Sequence, residues 1–229
     1  MIEVRIHGRG GQGNVVAAYL LATAAFEEGR HCQAFPSFGA ERRGAPVTAF
    51  VRIDDNPIQR RCQVRAPDFL IIQDSGLLHV AGVTDGLKPG GGVLVNSQRS
   101  SDDVAAETGR PTVALPASQL AADILGRPMP NVALLAAFLT ITGIVPVEAL
   151  GKALGHRFKG DVLERNRRRG RPGSGRPVGG GRPCLKLSKA VRRWLAPSPC
   201  AGPKWWPPIP SRRRPISSRT SRSWSPTAS

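Results

Sequence analysis

The sequence predicts a three-layer α/β domain, a sheet with helices on its faces, followed by a disordered basic tail. Three observations predict this. Short β-rich runs alternate with Ala/Leu-rich runs, the pattern of layered α/β domains. A glycine cluster, "HGRGGQG" at 7–13, joins the first β-rich run to the first helical one. Charge is divided sharply: all 16 acidic residues and 17 of the 33 basic ones lie in residues 1–166, whereas residues 167–229 hold 16 basic residues and no acid. The formal charge of +17 therefore belongs to the tail, and the domain before it is nearly neutral.

The elements follow in order. "IEVRI" (2–6) alternates apolar and polar residues and reads as a strand ending at the glycines. Residues 14–28 are Ala/Leu-rich, enough for four helical turns, with Gly29 placed to stop the helix. "HCQAF" (31–35) is the next strand, "PSFGAERRGAP" a loop, and "VTAFVRI" (47–53) a strand that ends at a turn. "FLIIQ" (69–73) is continuously apolar, as expected of a strand buried on both faces. "GVLVN" (92–96) and "TVALP" (112–116) are further strands, and Ser118 is placed to cap a helix running through 125. "NVALLAAFLTITG" (131–143) is apolar nearly all round, so it is buried between layers or packed on a partner. Pro146 opens a helix to about His156, and another begins at 159.

Residues 167–229 contain 11 of the 21 prolines and all four tryptophans, with no periodic apolar face. Such a stretch buries too little apolar area to offset chain entropy, so it is read as disordered. Its composition is that of a GC-rich coding region translated out of frame, and the break at Asn166/Arg167 interrupts a helical pattern. The competing reading is a basic arm for polyanions, with Trp194, Trp205, Trp206 and Trp224 available to stack on bases. Nucleic-acid binding by such an arm is expected to be nonspecific.

Cys32, Cys62, Cys184 and Cys200 include no CxxC pair, so no zinc or iron–sulfur site is visible and no metal ligand set is assigned. The start of the chain has no signal-like apolar core, and no 18-residue apolar run exists to span a bilayer. The expected location is the cytoplasm, away from any membrane.

Gly8, Gly10 and Gly13 fit G-x-G-x-x-G after a strand and before a helix. In that Rossmann-like context glycines let a phosphate approach the backbone, and helix amides around 12–15 point at the anion. Asn14 in place of Lys excludes a Walker A loop. A dinucleotide fold also calls for Asp or Glu at the end of the second strand, for the ribose. Here that strand ends at Phe35-Pro36-Ser37, and "ERRG" follows, offering Arg42 and Arg43 to further phosphate. The loop thus favours a multiply phosphorylated nucleotide; NADP and coenzyme A both suit. A tight turn without a ligand is the plain alternative. His7, His31, His79 and His156 have no nucleophile or acid at a recognisable spacing, so no catalytic residue is assigned and the domain reads as a binding module.

"RIHGRGGQG", "PSFGAERRGAPVTAFVRID", "PDFLIIQD", "RPMPNVALLAAFLTITGIVPVEAL" and "HRFKGDVLERN" resemble the gamma subunit of 2-oxoacid:ferredoxin oxidoreductases, of the pyruvate synthase type with ketoisovalerate enzymes nearby. The resemblance covers 1–166 and stops before the tail. It implies a noncatalytic subunit of a hetero-oligomer that packs against alpha, beta and delta subunits and helps bind coenzyme A. Thiamine diphosphate and iron–sulfur clusters are then expected on the partner chains, with ferredoxin as electron acceptor. By the same resemblance Gly8, Arg9, Gly10, Gly11, Gln12 and Gly13 hold the coenzyme's diphosphate, and Arg42 and Arg43 its further phosphate. A delta portion would carry cysteine-rich cluster runs, and none is present in this sequence. The other class of function is a stand-alone nucleotide-binding protein with a basic nucleic-acid-binding tail.

Overall fold

The computed structural model describes residues 1–37, 44–126 and 128–157, apart from the Leu125 side chain. Arg42, Arg43, the helix expected from 159 and the basic tail lie outside the described residues.

Six strands form one sheet. They are β1 (Ile2–Arg9), β2 (His31–Ser37), β3 (Pro46–Asp54), β4 (Phe69–Ile72), β5 (Gly92–Asn96) and β6 (Thr112–Leu115), in the order β2-β3-β1-β4-β5-β6. β1, β4, β5 and β6 run parallel, with Val4 opposite Phe69, Phe69 opposite Gly92 and Val93 opposite Thr112. β3 runs antiparallel between β1 and β2, from Ile2↔Ile53 to Arg9↔Pro46. Residues 38–45, which join β2 to β3, are too few for a parallel crossover of a dozen or so residues. An antiparallel return is what that length permits.

Helices cover both faces, giving the three expected layers. On one face lie α1 (Asn14–Glu27), α3 (Ala117–Leu125), α4 (Pro130–Thr142) and α5 (Val147–Arg157). They pack on Val4, Ile6, Val51, Ile71, Leu94 and Leu115 in the larger core. α4 is buried along almost its whole length by its own chain, which decides between the two readings of its all-round apolar sequence. Pro130 occupies its first turn, where a missing N–H costs nothing. α5 is tied to α1 by His156 on Glu27 (3.1 Å) and Lys152 on Glu28 (3.7 Å).

The other face carries α2 (Ser101–Thr108) and a short 3-10 helix, Ser75–His79, over Leu70, Ile72, Val93, Val95 and Ala114. The sequence reading passed over α2, because only Val104 of its eight residues is buried and no apolar stripe announces it. Its signals are polar: Ser100 caps the amide of Asp103 at 3.1 Å, Asp102 and Asp103 sit in the first turn, and Gly109 closes it. Ser118 is also corrected. It lies inside α3 rather than at its cap, and binds Asn96 through both its amide (3.2 Å) and its hydroxyl (2.9 Å).

Under β1 and β3 this second face is polar, and the charges hold loops. Arg52, fully buried, donates to Glu3 (2.9 Å) and to the Cys62 carbonyl (2.7 Å). Lys88 reaches Asp68 at 2.9 Å and Glu3 at 3.7 Å. Arg5 donates to the carbonyls of Val83 (2.8 Å) and Asp85 (2.7 Å). No helix among the described residues is long and apolar enough to cross a membrane.

Candidate functional site

β1 leads through α1 toward β2 on one side of the sheet, whereas β4 leads toward β5 on the other. The gap between the ends of β1 and β4 is therefore a switch in winding direction, the place where open α/β sheets make a crevice for ligands. The glycine loop at 8–13 lies there, as does the segment after β4.

Two glycines have demonstrable structural reasons. A Cβ on Gly8 would overlap the Asn14 carboxamide, so only glycine lets α1 start so close to β1. Gly13, the N-cap of α1, has φ 80°, and a Cβ there would lie 2.8 Å from Asn131 Nδ2 at the start of α4. α1 consequently has no side-chain cap and no acidic residue in its first turn. Its first amides, on Asn14, Val15 and Val16, have no acceptor within the helix. An uncapped helix start of this kind, with the positive end of the helix dipole behind it, suits an anion.

Other amides of the loop are already committed. Gln12 N–H donates to the Arg9 carbonyl (3.0 Å), which corrects the expectation that the amides facing an anion begin at Gln12. Gly10 N–H donates to Ala45 (2.9 Å), and Arg9 N–H to Gln12 Oε1 (2.7 Å). The Arg9 guanidinium binds Asp74 at 2.8 Å, and Gln12 Nε2 reaches the same oxygen at 3.3 Å. Asp74 also accepts from Gly76 N–H at 2.9 Å. This carboxylate thus fixes the loop against the end of β4. Arg9 remains partly exposed, with donors beyond the one on Asp74.

Arg42 and Arg43 lie outside the described residues, but the described residues that follow them, Gly44 and Ala45, reach this site. Ala45 binds Gly10, and Gly44 accepts from Arg9 at 3.4 Å. The strand order corrects the expected place of a ribose acid. β2 runs parallel to β1 but is separated from it by β3, so Ser37 is not where a dinucleotide fold places its ribose acid. The missing acid at that position carries no information about the ligand.

His7 is buried on the polar face beside Arg5. Burial, and then the positive charge of Arg5, push its pKa down to about 3, so it is neutral at physiological pH. Its Nδ1 lies 3.4 Å from the Thr48 hydroxyl. His31 is exposed, and His79 and His156 are surface ion-pair partners.

Sequence reasoning missed four polar side chains at the crevice: Asn14, Gln73, Asn96 and Asn131. Asn14 donates to the Val47 carbonyl at 3.1 Å, and Asn96 to the Gln73 carbonyl at 3.1 Å. The available signal was a carboxamide at each place where an apolar run meets a turn. Among the described residues, no group of three His, Cys, Asp or Glu is placed to hold a metal ion.

The family model described as pyruvate ferredoxin/flavodoxin oxidoreductase matches residues 3–173. Pyruvate synthase subunit PorC of Methanocaldococcus jannaschii is 50% identical over 166 residues, 72% of this chain and 91% of that one. The pyruvate/ketoisovalerate oxidoreductases common subunit gamma of Thermococcus kodakarensis is 48% identical over 169 residues, with the same two shares. Among solved structures, pyruvate oxidoreductase subunit PORC from Thermotoga maritima superposes with a TM-score of 0.66 at 34% identity, covering 82% of this chain and 95% of that one.

Proposed function

The chain belongs to the pyruvate ferredoxin/flavodoxin oxidoreductase family, and we propose that it is the gamma subunit of a 2-oxoacid:ferredoxin oxidoreductase, of the pyruvate synthase type, in which it helps bind coenzyme A. Alpha, beta and delta subunits are its partners in this reading. They carry thiamine diphosphate and the iron–sulfur clusters, and pass electrons to ferredoxin.

One observation carries the coenzyme assignment: the uncapped N-terminus of α1 stands at the switch in the sheet, reached through a loop whose glycines keep side chains away. Amides on Asn14, Val15 and Val16 suit a diphosphate, and Arg9 brings a charge to its edge. Arg42 and Arg43 are assigned to the coenzyme's further phosphate. The Thermococcus relative is by name common to pyruvate and ketoisovalerate enzymes. A subunit shared between two acids does not choose between them, whereas an acyl acceptor is needed by both. The work of this chain is thus to bind and orient, while bond-making occurs on the partner chains.

The test is a split in Michaelis constants. Losing one charge-assisted contact costs about 1.5–3 kcal/mol, a tenfold or greater loss of affinity. In the assembled enzyme, Arg43→Ala raises KM for coenzyme A by that factor and leaves KM for the 2-oxoacid unchanged. Normal coenzyme A kinetics with impaired 2-oxoacid turnover would overturn the assignment.

A further inference from the structure

The polar face of β1, on the side of the sheet away from α1, holds two buried groups whose hydrogen bonding is incomplete. Arg5 Nε and His7 Nε2 have no partner, although buried polar groups nearly always find one. The two residues are 9% and 8% exposed and follow each other on one strand face, about 6–7 Å apart along it. Their proximity shows in the charge of Arg5 acting on His7.

The two buried arginines of this face differ in their company. Arg52 has Glu3 as a counter-ion at 2.9 Å. Arg5 has neutral acceptors, the carbonyls of Val83 (2.8 Å) and Asp85 (2.7 Å), and the charge of Asp85 reaches it only at longer range. A buried charge without a close counter-charge is costly.

Hydrogen bonding defines what the pair lacks. The Thr48 hydroxyl lies 3.4 Å from His7 Nδ1. By donating there it leaves the ring proton on Nε2, and Arg5 Nε is a donor in any case. Two N–H groups therefore want an acceptor, beside a cation that wants a negative charge. The cross-strand neighbours are apolar on both sides, Phe50 and Leu70 beside Arg5 and Ile72 beside His7. A water that accepted from both N–H groups would turn its own protons toward those side chains, whereas a simple anion has no proton to place. We infer that a small monovalent inorganic anion, of the halide class, binds between Arg5 Nε and His7 Nε2. It balances Arg5, and through Arg5 it fastens the loop at Val83 and Asp85 to the sheet. The low pKa of His7 is that of the anion-free protein, because the ion offsets the charge of Arg5. Nothing in this site depends on the coenzyme reading.

The test compares chloride with methanesulfonate on the full chain in urea titrations, at equal ionic strength so that screening is the same. Chloride at ten times its half-saturating concentration lowers the unfolding equilibrium constant about tenfold, and the bulkier methanesulfonate does not. His7→Phe keeps a ring and removes the N–H, so it abolishes the difference between the two salts. Equal effects of the two salts on the wild type, or a chloride effect that survives in His7→Phe, would overturn the inference. A second measurement leaves the protein intact: in crystals soaked in sodium bromide, the anomalous signal lies within hydrogen-bond reach of Arg5 Nε and His7 Nε2. Density there without an anomalous signal marks a buried water and overturns the assignment. A bromide signal with no chloride-specific stabilisation marks an adventitious ion only, and overturns it as well.

Discussion

The two faces of β1 differ sharply in chemistry. On one, Val4, Ile6 and Gly8 form a smooth apolar track that ends in a glycine, and α1 lies directly on it. On the other, Glu3, Arg5, His7 and Arg9 are polar, and all but Arg9 are buried. The charged face is occupied almost wholly with the protein itself: Glu3 with Arg52, Arg5 with two loop carbonyls, Arg9 with Asp74. Among the described residues, buried side-chain atoms without a hydrogen-bond partner occur on both faces, Arg5 Nε and His7 Nε2 on the charged one and Asn14 Oδ1 and the Gln73 carboxamide at the crevice. The charges of Glu3, Arg5 and Arg52 hold structure, and the apolar face ends at the crevice between β1 and β4.

The largest effect that separates the faces comes from the buried ion pair. Arg52→Ala leaves Glu3 charged in the interior with only Lys88 nearby, and removing one partner of a buried pair costs about 3–5 kcal/mol. A fall in unfolding free energy of that size is expected from denaturant titration, together with release of the loop held at Cys62. A change within experimental error would mean that this face is not what anchors its loops.

On the apolar face the expected loss is smaller but functional. Gly8→Ala drives a methyl into the Asn14 carboxamide, and overpacking of this kind costs about 1–3 kcal/mol. Because the displaced group is the start of α1, coenzyme A binding should weaken in parallel. Destabilisation with unaltered coenzyme affinity would separate the loop from the ligand.

The smallest effect is on pH dependence. The folded-state pKa of His7 lies near 3 and the unfolded value near 6.5, so between these the unfolded chain binds a proton that the folded one refuses. Stability therefore falls as pH drops below 6.5, with a slope of at most about 1.4 kcal/mol per pH unit from this group. His7→Gln should flatten the stability curve between pH 7 and pH 5. An unchanged slope would mean His7 is protonated and solvated in the folded protein.

The layered fold was legible because apolar periodicity and glycine placement are local signals. The run at 2–6 falls inside β1, and those at 69–73 and 131–143 overrun the ends of β4 and α4 by one residue each. Strand direction was a different matter. Apolar alternation is the same for parallel and antiparallel strands, and only the short link at 38–45 betrayed the insertion of β3. α2 was invisible because a helix with one buried side chain has no stripe. At the site, the glycine loop could be read because its chemistry is contiguous. Gln73 could not, since a residue at the end of "FLIIQ" becomes significant only when tertiary packing leaves its carboxamide unpaired.

Hydrogen–deuterium exchange on the assembled enzyme tests most directly the claim that the apolar face of β1 ends in the coenzyme site. Coenzyme A should slow exchange at the amides of residues 11–16, and the 2-oxoacid alone should leave them as they were. Protection by the 2-oxoacid, with none from coenzyme A, would contradict the account.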